Sequence, residues 1–295
     1  MAFRWIGKAA DGKTVTLQGL DACTLPVAEY ATAAWIENNA DLVRVGAVLD
    51  VETTGLNHSD DVIIEIGIKL FKFNKDTGQI LALGDSYSAF QDPGRALTKE
   101  IISITGITDE MLAGQNIDWS KVNQLLNDSS VIIAHNARFD RPFIDRKSKI
   151  SSEKIWACSI KQIDWAAKGF HSPKLELLNI YHGFFTNSHR AINDAEALMY
   201  LLSLPDAHNG QPYLQELLTN ARRFMTQVIA TSAPFESKDH LKGRGYNWDN
   251  INRFWAKTIF KDELKTELAW LEDVVYCGPF GGITREIALT DGFKA

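Results

Sequence analysis

The chain has 295 residues, of which 45% are hydrophobic and 23% charged, with a formal net charge of −6. That balance suits a soluble globular protein, and no run reaches the roughly 18–20 consecutive apolar residues that a bilayer-spanning helix requires. Net acidity argues against long-lived coating of nucleic acid, which is driven by positive charge and counterion release, and three widely spaced cysteines (Cys23, Cys158, Cys277) exclude a disulfide scaffold or a zinc–cysteine site.

The chain opens on Met-Ala-Phe-Arg-Trp-Ile-Gly-Lys, which lacks the apolar core and cleavage site of a secretory signal. With the free cysteines, this sets the expected location as the cytoplasm. Residues 1–44 read as an N-terminal extension. Ala10-Asp11-Gly12, between Phe3–Ile6 and Val15–Leu17, has the chemistry of a hairpin, and a helical stretch is expected near Val27–Asn38. Residues 45–204 read as the main α/β domain. Val45–Val51 is a buried strand stopped by Thr54-Gly55, and Val62–Phe73 and Gln79–Phe90 are paired strands joined through Asn74–Gly78. Val131–Ala134 is a short apolar strand, a helix begins at Arg138, and Arg190–Leu204 repeats its apolar residues at helical spacing. Residues 205–231 read as a linker followed by a helix over Tyr213–Ala230, and 232–295 as a small C-terminal α+β module. No internal repeat or low-complexity tract interrupts this order.

Three motifs carry chemistry. In Asp50-Val51-Glu52-Thr53-Thr54-Gly55, strand alternation sends Asp50 and Glu52 to the same face, about 7 Å apart along the strand, where both can reach a cation. Alone, such a pair is more often two solvated carboxylates at a strand end. His135-Asn136-Ala137-Arg138-Phe139-Asp140 follows a strand and puts Asp140 in the first turn of a helix, where it also suits the helix dipole. His189-Arg190-Ala191-Ile192-Asn193-Asp194 separates an imidazole from a carboxylate by five positions, too far round a regular helix to share a face. The spacing works if His189 lies in the loop entering the helix, with Asn187 or Ser188 as N-cap, and Asp194 inside it.

Taken together, the order and spacing of these motifs closely resemble the DEDD superfamily of 3′→5′ exonucleases, the DnaQ-like group related to the epsilon proofreading subunit. The histidine five positions before the last Asp places the chain in the DEDDh subclass. The likeness covers about residues 45–204, and Leu97–Leu112 also looks like the family's segment before the second motif. It implies a ribonuclease H-like fold, a mixed five-stranded sheet flanked by helices. It further implies two divalent cations, Mg2+ or Mn2+, on Asp50, Glu52, Asp140 and Asp194, with His189 as general base. By the family's pattern Asp50 and Asp194 bridge one cation, with Asp140 acting through water, and Glu52 with the Thr53-Thr54 backbone senses the terminal 3′-hydroxyl. Thr53, Thr54, Gly55, Leu56, Ile104, His135, Asn136 and Phe139 are the implied substrate contacts. For Leu56 and Ile104, simple core packing is an equal alternative. Trp156-Ala157-Cys158-Ser159 departs from the Asp-Thr pair many relatives carry there, at a position that holds no metal.

The implied reaction is removal of nucleotides from the 3′ end of DNA, single strands being favoured, with a polymerase or repair protein as partner and no membrane. A 3′→5′ exoribonuclease stays open, since none of these residues reads the 2′ position. A catalytically idle nucleic-acid-binding scaffold would be expected to have lost a carboxylate. In the C-terminal module Lys242, Arg244, Trp248, Arg253 and Trp255 are candidates for nucleic-acid contact by stacking and charge. A module this small also needs tryptophans for its own core. Gly245 supplies a turn, Trp248 and Trp255 anchor a hairpin, and Glu263, Lys265 and Glu267 form the polar face of a helix whose apolar side is Leu264, Leu268 and Leu271.

Overall fold

A computed structural model describes residues 13–187 and 189–294. The Ala10-Asp11-Gly12 turn and Ser188 lie outside the described residues. The chain divides into two compact units, one formed by residues up to Ala221 together with Phe293 and Lys294, the other by Arg222–Gly292.

The first unit is built on a five-stranded mixed sheet. Its strands are β1 (Val43–Thr53), β2 (Ile63–Asn74), β3 (Ile80–Phe90), β4 (Val131–Ala134) and β5 (Ile155–Cys158). The spatial order is β3-β2-β1-β4-β5, with β1–β2 and β2–β3 antiparallel and β1–β4 and β4–β5 parallel. β1 is central because Ala47, Val48, Leu49 and Val51 are all buried, leaving both faces to be covered. Odd positions (Ala47, Leu49, Val51) join Ile66, Ile68 and Ile132 under α2 (Trp119–Asp128) and α3 (Ala137–Asp145). The opposite face carries Val48 with Phe71, Phe73 and Ile133 against Ala195, Leu198 and Leu202 of α4 (Ala191–Ser203). Another helix, α1 (Lys99–Thr105), starts at Thr98, whose side chain accepts from the Ile101 amide, and stops at Gly106, φ 68°. This is the expected ribonuclease H-like α/β arrangement.

Two expectations need correction. Over Val27–Asn38 only Ala33–Asn38 is helical, started by the Thr32 cap on the Trp35 amide, while Val27 bridges to Ile80 at the sheet. Within the N-terminal extension, Gln18–Gly19 pairs in parallel with Phe184–Phe185. The segment Tyr213–Ala230 splits into α5 (Tyr213–Ala221) and β6 (Met225–Ala230). Tyr213, Leu214 and Leu217 of α5 belong to the main core, whereas Thr226, Val228 and Ile229 take strand geometry because β6 is paired on both sides. The boundary between units therefore falls after Ala221, inside the stretch 205–231 expected to be linker and helix.

The second unit is an antiparallel sheet of β6, β7 (Asn247–Asp249), β8 (Phe254–Phe260) and β9 (Ile283–Ile287), in the order β9-β6-β8-β7. Packed on it are α6 (Lys238–Gly243) and α7 (Leu264–Trp270), whose Leu264 and Leu268 meet Val228, Ala230 and Ile259.

Candidate active site

The carboxylates expected at the site gather where β1 outruns its neighbour. β4 pairs only with Gly46–Val48, so the end of β1 projects past it with Asp50 and Glu52 on the face turned to α4. One oxygen each of Asp50, Glu52 and Asp194 lie within 4.8 Å of one another, so the three can hold a metal ion. Asp194 comes from the first turn of α4. Asp140 lies outside that trio: it is only 3% exposed, accepts a hydrogen bond from the Val51 backbone amide, and acts on Asp50 through its charge. The turn delivering Asp140 from β4 into α3 is made by Asn136 at φ 116°.

His189 falls outside the helix, as its spacing requires. It is exposed, takes φ 65°, and its backbone N–H donates to Asp194 Oδ2 at 2.8 Å. The left-handed backbone turns the chain at the residue that precedes the helix entry. The N-cap is Arg190 rather than Asn187, whose carbonyl instead accepts from the Asn193 side chain.

Burial and crowding work against ionisation throughout the cluster. Asp50 is pushed well above the usual carboxylate range, first by burial and then by Asp140, Asp194 and Glu52. Glu52 is pushed up to about 7 by burial and the charges of Asp194, Glu65 and Asp140, with Arg190 opposing. Burial likewise raises Asp140 to about 7 and lifts Asp194. An all-oxygen donor set carrying this much unbalanced negative charge fits a hard divalent cation, whereas zinc favours nitrogen and sulfur.

Glu65 was not singled out in the sequence. It is fully buried on β2, directly opposite Glu52 in register, and engages Arg190. A Glu and a Gly at alternate places in the apolar run Ile63-Ile64-Glu65-Ile66-Gly67 were the available signal.

The implied substrate contacts divide. Leu56 and Ile104 are 84% and 49% exposed, which removes core packing as their explanation. Thr53 Oγ1 donates to the Gly55 carbonyl, Thr54 Oγ1 donates to Asp61, and the Thr54 amide is taken by the Val62 carbonyl. The Thr54 N–H is therefore occupied in the fold. Gly55 leaves room for the Asp61 carboxylate, which a Cβ would meet at 2.5 Å. His135 has both ring nitrogens in use: Nε2–H donates to the Pro173 carbonyl and Nδ1 accepts from Ser159 Oγ, each at 2.7 Å. Phe139 packs on Phe143, ring centroids 5.3 Å apart. His135 and Phe139 are thus framework, while Asn136 is exposed at the turn.

In the second unit Gly245 turns at φ 91°, and Trp248 faces Trp255 across the expected hairpin with ring centroids 5.6 Å apart. Glu267 does not lie on a polar face: it is 5% exposed and pairs with Arg244 and Lys257. Arg244 also stacks over Trp270 at 4.8 Å, and Trp255 is half-buried against the core. Lys242, Trp248 and Arg253 are exposed.

The RNase T exonuclease family model matches residues 47–202, which span β1 through α4 and contain all four carboxylates and His189. The chain belongs to this exonuclease family. Among curated relatives of the exonuclease, the PolC-type DNA polymerase III of Listeria monocytogenes is 34% identical over 163 residues, covering 52% of this chain and 11% of that protein. The DNA polymerase III subunit epsilon of Treponema pallidum is 30% identical over 175 residues, covering 55% of this chain and 76% of the subunit. The chain thus spans about a tenth of the length of its PolC-type relatives. A solved exonuclease X in complex with 5′ overhanging duplex DNA is 22% identical, with TM-score 0.40, covering 54% of this chain and 89% of that one. Among the described residues no helix is long and apolar enough to cross a membrane.

Proposed function

We propose that this exonuclease-family chain removes nucleotides from the 3′ end of DNA by metal-dependent phosphodiester hydrolysis. The observation that carries the reading is the convergence of Asp50, Glu52 and Asp194 oxygens within 4.8 Å beside a histidine held outside the helix. Asp50, Glu52 and Asp194 would hold divalent cations, Mg2+ or Mn2+, with Asp140 supporting them from beside Asp50. Bound cations supply Lewis acidity and offset the charge that builds on the phosphate. His189, exposed on its turn and tied to Asp194 through its backbone N–H, accepts the proton of the attacking water. Attack on phosphorus breaks the bond to the 3′ oxygen, releasing a 5′-nucleoside monophosphate and a new 3′-hydroxyl. In this reading Glu52 accepts a hydrogen bond from the terminal 3′-hydroxyl, and Leu56 and Ile104, both exposed, offer apolar surface to bases.

DNA is favoured because the relatives quoted above are, by name, DNA polymerase III proteins. The same names support a polymerase as partner, and the second unit, with Lys242, Trp248 and Arg253 exposed, is the available surface for a partner or a strand. The test is a digestion panel with Mg2+ or Mn2+ on 3′-labelled single-stranded DNA, matched and mismatched duplex, and RNA. We expect trimming of single-stranded DNA, abolished in Asp50→Ala and Asp194→Ala, and slowed on the order of 10²–10⁴-fold in His189→Ala. Preferential RNA trimming would reassign the substrate, and inactivity on every member would overturn the reading.

A further inference from the structure

Behind the carboxylate cluster sits a second buried acid that the chemistry above does not use. Glu65 is fully buried, and in the sheet register it stands opposite Glu52. Its charge raises the proton affinity of Asp50, Glu52 and Asp194, yet it stands outside the trio of carboxylates whose oxygens can share a cation. Nor is stability an adequate reason for it. A buried ion pair often contributes no more than apolar side chains of the same volume, because desolvation cancels the attraction.

What Glu65 does have is geometry. Its Oε1 accepts from Arg190 Nε and Nη2, both at 3.1 Å, and its Oε2 accepts from the Ala191 backbone amide at 3.3 Å. Arg190 is the N-cap of α4 and offers that helix no side-chain cap of its own. Glu65 therefore supplies from a neighbouring strand the acceptor and negative charge that a helix start needs. The Arg190 guanidinium also lies 5.0 Å from the Phe90 ring, which restricts its swing. Two residues along β2, Gly67 pairs with Asp50, and a Cβ there would fall 2.3 Å from the Ala191 carbonyl carbon and the Ile192 nitrogen. The first turn of α4 is thus pressed onto β2 at Gly67 and tied down at Glu65, between His189 on one side and Asp194 on the other.

We propose that Glu65 and Arg190 are positioning residues that clamp the start of α4 and so set Asp194 and His189 against Asp50 and Glu52. This rests on the metal-dependent reading of the site. Neither residue touches the reacting atoms in this role. Removing either leaves the carboxylates in the chain but lets the helix entry drift, and a shift of about 1 Å in a reacting group can cost roughly 10²-fold in rate.

The test compares Glu65→Ala, Arg190→Ala and Glu65→Gln with the unaltered protein in three measurements. These are Mn2+ binding by calorimetry, thermal unfolding in chelator, and kcat and KM for trimming of a 3′-labelled single-stranded oligonucleotide. The two alanine variants should need about 10–100-fold more Mn2+ for half-saturation and lose about 10²-fold in kcat, with KM within a few-fold. Glu65→Gln keeps an oxygen for the Ala191 amide and should recover at least half of each loss on a logarithmic scale. Unchanged Mn2+ affinity in both folded alanine variants, or a Gln variant as impaired as the Ala variant, overturns the clamp. If the unaltered protein trims nothing, the exonuclease reading fails, while the calorimetric comparison still decides the clamp.

Discussion

Replacing Asp50 by Asn should stabilise the metal-free protein at alkaline pH, although Asp50 is central to the proposed chemistry. The folded state holds Glu52 and Asp140 at about 7, against ordinary values of 4.5 and 3.8, and Asp50 is also raised well above its ordinary range. A group whose proton affinity is raised by folding favours the folded state below its unfolded pKa, and that contribution is lost as pH rises through the folded value. The window here runs from about 4 to about 7. At 1.36 kcal/mol per unit, the shift at Glu52 corresponds to roughly 3 kcal/mol lost above pH 7. Asp50 is not a cause of that shift; what Asp50→Asn removes is Asp50's own raised proton affinity, caused by burial and by the charges of Asp140, Asp194 and Glu52. Each pKa unit relieved is worth about 1.36 kcal/mol, so the gain is roughly 1–2 kcal/mol. At about 2–4 °C per kcal/mol for a unit of this size, the expected rise in unfolding midpoint is roughly 2–8 °C. The assay is thermal unfolding in chelator from pH 8 to pH 5, following the gap between variant and unaltered protein. That gap should close on acidification as protons neutralise the cluster, and Mn2+ at pH 8 should raise the midpoint of the unaltered protein alone. A gap absent at pH 8, or one independent of pH, would refute the idea that the empty cluster is under repulsive strain.

Two further expectations follow from the framework around the site. Burial holds His135 down to about 4, so its ring should stay neutral at pH 5.5, and stability should fall as pH drops from 6.5 towards 4 by up to about 3 kcal/mol; an NMR titration of the ring with a midpoint near 6.5 would contradict this. Gly67→Ala places its Cβ against backbone, which cannot rotate aside, and should cost about 1–3 kcal/mol of stability together with weaker Mn2+ binding; calorimetry and unfolding at the level of the unaltered protein would show that α4 seats elsewhere.

What was legible in the sequence followed from period, and what was not depended on register. Asp50 and Glu52 share a face by alternation alone, and the offset of His189 from Asp194 demands a residue outside the helix; both hold in the structure. Val131–Ala134 appears with the expected bounds because four apolar residues between a polar turn and a glycine-free helix start admit little else. By contrast, the fate of Met225–Ala230 was settled by partners on both flanks, one of them more than fifty residues downstream at Ile283–Ile287. Local helical spacing could not compete with two ladders of backbone hydrogen bonds.

The same distinction separates the residues proposed to act from those that hold them. His135 is a substrate contact only by the resemblance of its motif, and its ring is held by Ser159 and Pro173, 24 and 38 positions away. Arg244, a candidate for nucleic-acid contact by its charge, pairs with Glu267, 23 positions on, a partner its own motif does not reveal. Glu65 stands opposite Glu52 only because β1 and β2 pair in one register; a slip of one residue would turn it to the other face of the sheet and leave Arg190 without a partner. The register that buries the alternating Ile66 and Ile68 therefore also aligns Gly67 with Asp50 and Glu65 with Glu52. Packing of the sheet and placement of the α4 carboxylate are in this way one constraint, and a core substitution that shifted β2 along β1 would disable the site without touching any residue in it.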